Sequence, residues 1–199
     1  RYMVSSGLVN RIDVSHFRLA THLLIAFVIL SLIFWNYLKF KDIYSSKDKI
    51  NMIYPFLLLV LVFGQIAIGA FVSGMDAGKI YNSWPLMGTT YFPNDNNFTD
   101  LLLISVFSDP SLVQFIHRNL AYLILIYYIF ISVKIFRNKL INFFSTIKLI
   151  GFLLLLPIIL GILTLLFGAQ ILYASMHQIS SIFLVSAIIY FLYLNKKTN

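Results

Sequence analysis

The chain has 199 residues, of which 60% are hydrophobic and 11% charged, with a formal net charge of +8 and a mean hydropathy of +0.88. This composition excludes an ordinary soluble domain and identifies an integral membrane protein. The absence of cysteine excludes disulfides, iron-sulfur clusters and heme attachment through C-x-x-C-H, and the positive charge, gathered in loops, is a topology signal with no bearing on nucleic acid.

The chain opens with Arg1 and shows no signal-peptide pattern, and it is read as a fragment whose beginning lies elsewhere. Five apolar stretches of about 20 residues predict membrane-spanning helices. The first, over 19–38, carries His22 with Arg18 one turn before it. An inner connection with Lys39, Lys41, Lys47 and Lys49 leads to a second span over 52–73, containing Gly64, Gln65 and Gly69. A long outward loop, 74–111, sets Asp76, Asp95, Asp100 and Asp109 against Lys79; loops of this length are commonly functional. This loop could cover the mouth of a site, or Trp84 could simply anchor it in the interface. Its segment 101–107 is too short to span and follows a Thr99-Asp100 helix start, which predicts an interfacial turn. The third span, over 112–136, holds Gln114, His117 and Arg118 and ends at Lys134, Arg137 and Lys139. The fourth, over 146–167, is predicted to kink at Pro157. The fifth, over 171–194, carries His177 and Gln178 and runs into Lys196 and Lys197.

The lysine- and arginine-rich connections alternate, so they are cytoplasmic by the positive-inside rule. His22, His117 and His177 then lie at one depth near the outer ends of their spans. An ionisable side chain in hydrocarbon costs at least ~2 kcal/mol and normally faces the bundle interior for a functional reason. The residues four places on, Ala26, Ala121 and Ser181, are small and leave room on the same helical face. Together these features suggest a flat macrocycle such as heme, against the alternative of helix-to-helix hydrogen bonding. A six-coordinate b-type heme takes two imidazoles from facing helices; His117 and His177 match in depth, and His22 is left for a partner outside this chain. Arg118 and Arg18 could pair with heme propionates or snorkel at the interface. Gln114 and Gln178 could orient an imidazole or bind neighbouring helices. His16 is expected to be a solvated loop histidine.

A weak internal repeat relates Met3-Val4-Ser5-Ser6-Gly7 to Phe71-Val72-Ser73-Gly74 and Gly64-Gln65-Ile66-Ala67-Ile68-Gly69 to Pro157-Ile158-Ile159-Leu160-Gly161. The ordered series Arg18-Leu19-Ala20-Thr21-His22-Leu23, Gln65-x-x-x-Gly69-Ala70-Phe71-Val72-Ser73-Gly74-Met75-Asp76-Ala77-Gly78, Tyr81-Asn82-Ser83-Trp84-Pro85-Leu86-Met87, Phe115-Ile116-His117-Arg118, Leu160-Gly161-Ile162-Leu163-Thr164-Leu165-Leu166 and His177-Gln178 resembles heme A synthase, in its mitochondrial and alphaproteobacterial branch.

The resemblance implies an all-α polytopic membrane protein of two pseudosymmetric four-helix halves. Residues 1–40 would end the first half, and 41–199 would form the C-terminal heme-binding half. It implies heme b as cofactor, held by His117 and His177 as axial iron ligands with Arg118, Gln114 and Gln178 around it. His22 would lie on the substrate-heme side as a catalytic group and iron ligand. The implied reaction converts the methyl group of heme O to the formyl group of heme A by successive water-derived hydroxylations, for cytochrome c oxidase assembly. Implied partners are heme O, heme O synthase, an electron acceptor, membrane lipid and a second copy as homo-oligomer, but no nucleic acid. The implied home is the cell inner membrane, or the mitochondrial inner membrane in a eukaryote. The chain contains no Glu, so the family's loop glutamate has no counterpart, and Pro157 stands where the family carries glutamine. The fragment alone is expected to be inactive. Two other classes stay open, a b-type cytochrome acting only in electron transfer and a transporter using histidines as a proton relay.

Overall fold

Apolar runs long enough to cross a bilayer must satisfy every backbone group internally, which leaves the helix as their structure. The computed structural model describes residues 15–41, 43 and 46–196 and contains five such helices. They are α1 (His16–Phe40), α2 (Ile53–Gly74), α3 (Pro110–Arg137), α4 (Phe144–Leu166) and α5 (Ile171–Asn195). All five predicted spans are present, most of them extended by about a turn or less where the helix continues past the hydrocarbon. Among the described residues the only strand-like feature is one bridge between Met87 and Thr90. The protein is an all-α polytopic membrane protein. Met3 to Gly7 of the repeat and Lys197 lie outside the described residues.

Helices α2, α3, α4 and α5 form a ring in which each touches the next, so that α2 faces α4 and α3 faces α5 across the diagonals. Helix α1 packs outside the ring against α2 and α5, through an edge-on contact of Phe27 with Phe63 and another of Trp35 with Tyr193. Local signals fix the ends. Pro110 opens α3 at a position that needs no amide donor, and the Asp109 carboxylate accepts from the Leu112 amide at 2.9 Å. Helix α4 runs unbroken through Pro157. At Gly151 it comes so close to α3 that a Cβ would collide with the Tyr128 hydroxyl; that hydroxyl donates to the Ile147 carbonyl at 2.9 Å.

The inner end is the dense end. Phe143, Ile147, Ile150, Val185, Ile188 and Phe191 are fully buried there. Asn195 closes it by accepting from the Ile50 amide at 2.9 Å and donating to the Ile50 carbonyl at 2.8 Å, tying the end of α5 to the approach to α2. Toward the outer end the packing opens. On α5, Ile171, Leu172, Met176, Ile179 and Phe183 are all exposed.

Candidate functional site

His117 and His177 stand at this open outer end, projected from the diagonal helices α3 and α5. Their ring centres are 6.3 Å apart and their planes cross at 74°. An imidazole nitrogen sits about 2 Å from a first-row metal and its ring centre about 1.2 Å further on, so two imidazoles on opposite sides of one metal have centres about 6.4 Å apart. The spacing therefore fits one iron held between two rings.

Each ring rests on a glycine of the next helix. A Cβ on Gly69 of α2 would lie 3.1 Å from Cε1 of His117, and one on Gly161 of α4 would lie 3.1 Å from Cε1 of His177. The residue four places before each glycine, one turn along the helix, reaches the same histidine. His177 Nδ1 lies 2.7 Å from the Pro157 carbonyl. A carbonyl only accepts, so Nδ1 carries the proton and Nε2 of the neutral ring is left as a free electron pair. On the other side the Gln65 amide nitrogen lies 3.1 Å from the His117 carbonyl and 3.2 Å from its Nε2. His117 Nδ1 is buried with no hydrogen-bond partner. A buried ring nitrogen without a partner is costly in a protein interior; an amide nitrogen only donates, so this Nδ1 carries the ring proton while Gln65 stays on Nε2, and a metal at His117 would take the place of that amide on Nε2. Among the described residues no group of three or more His, Cys, Asp or Glu gathers elsewhere to hold a bare metal ion.

The other sequence candidates lie around this pair. Arg118 donates from Nη1 to the carbonyls of Ser83 (3.0 Å) and Leu86 (3.2 Å) and from Nη2 to that of Tyr81 (2.9 Å), so it staples the outward loop to α3. Gln114 is buried and donates to the Tyr81 carbonyl at 3.1 Å; the amide that meets a histidine is Gln65. Gln178 is exposed on α5, and His22 is exposed on α1 with Arg18 one turn before it. His16 departs from the expectation of a solvated loop residue. It is the first residue of α1, packs against Gly74 and the Phe71 ring, and buries Nε2 with no partner among the described residues. Neither Gln65 nor the glycine cradles were assigned to the histidines from sequence; the signal that could have found them is the shared spacing of Gln65 with Gly69 and of Pro157 with Gly161.

The outward loop is ordered by the same residues. Trp84 donates to the Tyr122 hydroxyl at 2.9 Å. Burial alone would raise the Asp95 carboxyl, but hydrogen bonds from Ser111 (2.6 Å) and Tyr81 (2.8 Å) hold it below the usual carboxylate range. The interfacial turn is present as two 3-10 turns, Phe98–Leu102 and Ile104–Ser108, the first capped by Asn97 and Asp100 rather than started at Thr99. Leu102 and Ile104 are 87% and 91% exposed, as a segment lying against lipid requires.

The cradles make a specific prediction. Gly161→Ala and Gly69→Ala each gain about 1 kcal/mol of helix propensity and lose about 1–3 kcal/mol to overpacking against a histidine ring, so both displace the ring. Gly64→Ala, whose Cβ would meet Leu120 at 3.8 Å, takes the gain without the loss. Thermal unfolding in detergent should rise for Gly64→Ala and stay level or fall for the other two; equal gains in all three would remove the cradle role.

A family model described as cytochrome oxidase assembly protein, COX15-CtaA, matches residues 1–189. The chain is 44% identical over 198 residues to a heme A synthase of Pelagibacter ubique, covering 100% of this chain and 58% of that protein. It is 40% identical over 196 residues to one of Rickettsia bellii, covering 95% and 57%, and 40% identical over 206 residues to one of Wolbachia pipientis, covering 99% and 56%. The chain thus spans less than two thirds of the length of these relatives. No solved structure matches it.

Proposed function

The chain belongs to the COX15-CtaA family of cytochrome oxidase assembly proteins, on the branch of alphaproteobacterial heme A synthases, and from that premise we propose that it is the heme b-holding part of a heme A synthase in the cell inner membrane. The observation that carries the cofactor assignment is the His117–His177 pair, 6.3 Å between ring centres and seated on Gly69 and Gly161.

His117 and His177 would hold the heme iron through ring nitrogens. Bound there, heme b supplies one-electron transfer. The Pro157 carbonyl keeps the His177 proton on Nδ1 and its Nε2 free for the iron. Arg118 and Gln114 hold the Tyr81–Leu86 stretch over the outer end of α3, which restricts water on that side and leaves two guanidinium protons for an acidic group at the mouth. His22, on α1 at the same outer end, is the proposed contact to the substrate, heme O. Conversion of its methyl group to a formyl group takes one oxygen atom from water and releases four protons and four electrons. Those electrons need an acceptor, and heme O must come from a heme O synthase.

The test is expression of the protein with a heme O source, followed by extraction and chromatographic separation of its hemes. Appearance of heme A is expected. Heme O recovered unchanged beside a normal heme b spectrum would overturn the synthase reading and leave a membrane cytochrome that only transfers electrons.

A further inference from the structure

The inner end carries a cavity of about 530 Å³, at the opposite end of the bundle from His117 and His177. It lies where the 46–49 connection, the first turn of α4 and the last turns of α5 meet. Two bonds hold its walls together. The Ser46 amide donates to the Leu194 carbonyl at 2.7 Å, and the Asn142 amide donates to the Asp48 carboxylate at 2.9 Å. Five polar side chains line it, those of Lys47, Asn142, Ser145, Thr146 and Tyr190, and none of them makes a hydrogen bond or ion pair among the described residues. Thr146 is only 5% exposed. Ser31, Ser132, Thr164 and Ser186 satisfy their hydroxyls on the carbonyl one turn back in their own helices. The Thr146 hydroxyl does not, and it is not one of the enclosed polar atoms, so it opens on the cavity. Valine would fill the same volume without an unpaired hydroxyl.

The lining is one-sided in charge. Lys47 is its cation, and among the described residues no carboxylate lines it. Helix α4 has no acidic residue in its first turn, so the positive end of its dipole adds to the lysine. Lys49 and Lys196 stand at the same edge, the Lys49 ammonium on the Lys196 carbonyl, and neither has a carboxylate partner. Such a hollow suits a phosphodiester, whose oxygens only accept; an ammonium headgroup finds no carboxylate in it. An apolar track leads out of it. Leu149 and Phe152 follow Ser145 along one face of α4, and Phe183 lies two turns before Tyr190 on one face of α5. All three are exposed, and a free phosphate ion would leave them unused.

We propose that this cavity binds the phosphodiester of an anionic phospholipid from the cytoplasmic leaflet. Lys47 and the Ser145 and Thr146 hydroxyls hold the phosphate, and an acyl chain runs along Leu149 and Phe152. The positive-inside rule sets the lysine-rich end in that leaflet, where basic pockets between helices take anionic headgroups.

The test titrates dioleoylphosphatidylglycerol, dioleoylphosphatidylcholine and inorganic phosphate separately into delipidated protein in detergent, and counts bound molecules by native mass spectrometry. The parent is expected to take one phosphatidylglycerol about tenfold or more tightly than phosphatidylcholine, and to take no inorganic phosphate in the same range. Lys47→Gln is expected to weaken phosphatidylglycerol about fivefold, the effect of one lysine at an anionic headgroup. Thr146→Val is expected to weaken it about tenfold, the effect of a hydrogen bond to a charged acceptor. Lys39→Gln removes an exposed lysine of the same end outside the cavity and is expected to leave binding unchanged. Equal binding of the two lipids overturns the proposal, as does parent-like binding by Thr146→Val. Equal weakening by Lys47→Gln and Lys39→Gln also overturns it, because the effect is then surface charge alone. Inorganic phosphate bound as tightly as phosphatidylglycerol overturns the lipid assignment and makes the cavity a free-phosphate site. Thr146→Val has no bond to lose, so its helix content by circular dichroism should match the parent; loss of helix content would contradict the free hydroxyl and overturn the proposal too.

Discussion

His117→Ala and His177→Ala are each expected to abolish the low-spin heme b spectrum of the purified protein. The loss is large because each variant removes one of the two imidazoles whose ring centres stand 6.3 Å apart, and among the described residues no third His, Cys, Asp or Glu joins them in a group that could replace it. Loss of one ligand leaves a five-coordinate iron, so any heme retained should be high-spin and should bind carbon monoxide. The measurement is the reduced-minus-oxidised absorption spectrum with and without carbon monoxide. An unchanged low-spin spectrum in both single variants would remove these residues from the site. Helix content should stay at the parent level, because the fully buried core at the inner end touches neither ring.

His22→Ala separates substrate conversion from cofactor binding. The side chain is exposed on α1, outside the ring of α2 to α5, and makes no hydrogen bond among the described residues. The expected result is an unchanged heme b spectrum, with heme A formation reduced on the order of 10–100-fold or more, the scale on which metal-site residues act, and with heme O or a partly oxidised intermediate accumulating. Chromatography of extracted hemes reads this directly. Heme A at the parent level would make His22 structural, and loss of heme b would mean that α1 and the four-helix ring do not act independently.

The five helices were legible in the sequence because bilayer thickness imposes a length and an apolarity that composition alone records. Most helix ends lie beyond the apolar stretches, as Pro110 against 112 and Phe144 against 146, while Ile53 and Leu166 fall one residue inside 52 and 167; helices continue into the interface where hydropathy no longer marks them. The histidines were legible as costly groups in apolar runs, and their pairing from equal depth. The space beside them was traced to Ala121 and Ser181 on their own helices, yet the close approach is to Gly69 and Gly161 on neighbouring ones. That relation depends on which helices adjoin, and periodicity along one helix carries no information on it. His16 escaped for the same reason, since its burial comes from Gly74 and Phe71, more than fifty residues away in sequence. For Arg118 the sequence offers a propionate or the interface; its bonds to three loop carbonyls, which converge only after folding, use three of its five donors.

The Asn195–Ile50 clamp bears on the order in which the site comes into being. Its partners are 145 residues apart, and α5, which brings both Asn195 and His177, is the last of the five helices to be synthesised. Until α5 has left the translocon, the ring lacks one wall, the inner end is unfastened and His117 has no opposing imidazole. The histidine pair is thus completed from the carboxyl-terminal side, and a chain stalled before α5 holds only one of its two imidazoles. Pairing of the two imidazoles belongs to the period after α5 is in place, when the inner end is fastened and the outer end of α5 remains exposed.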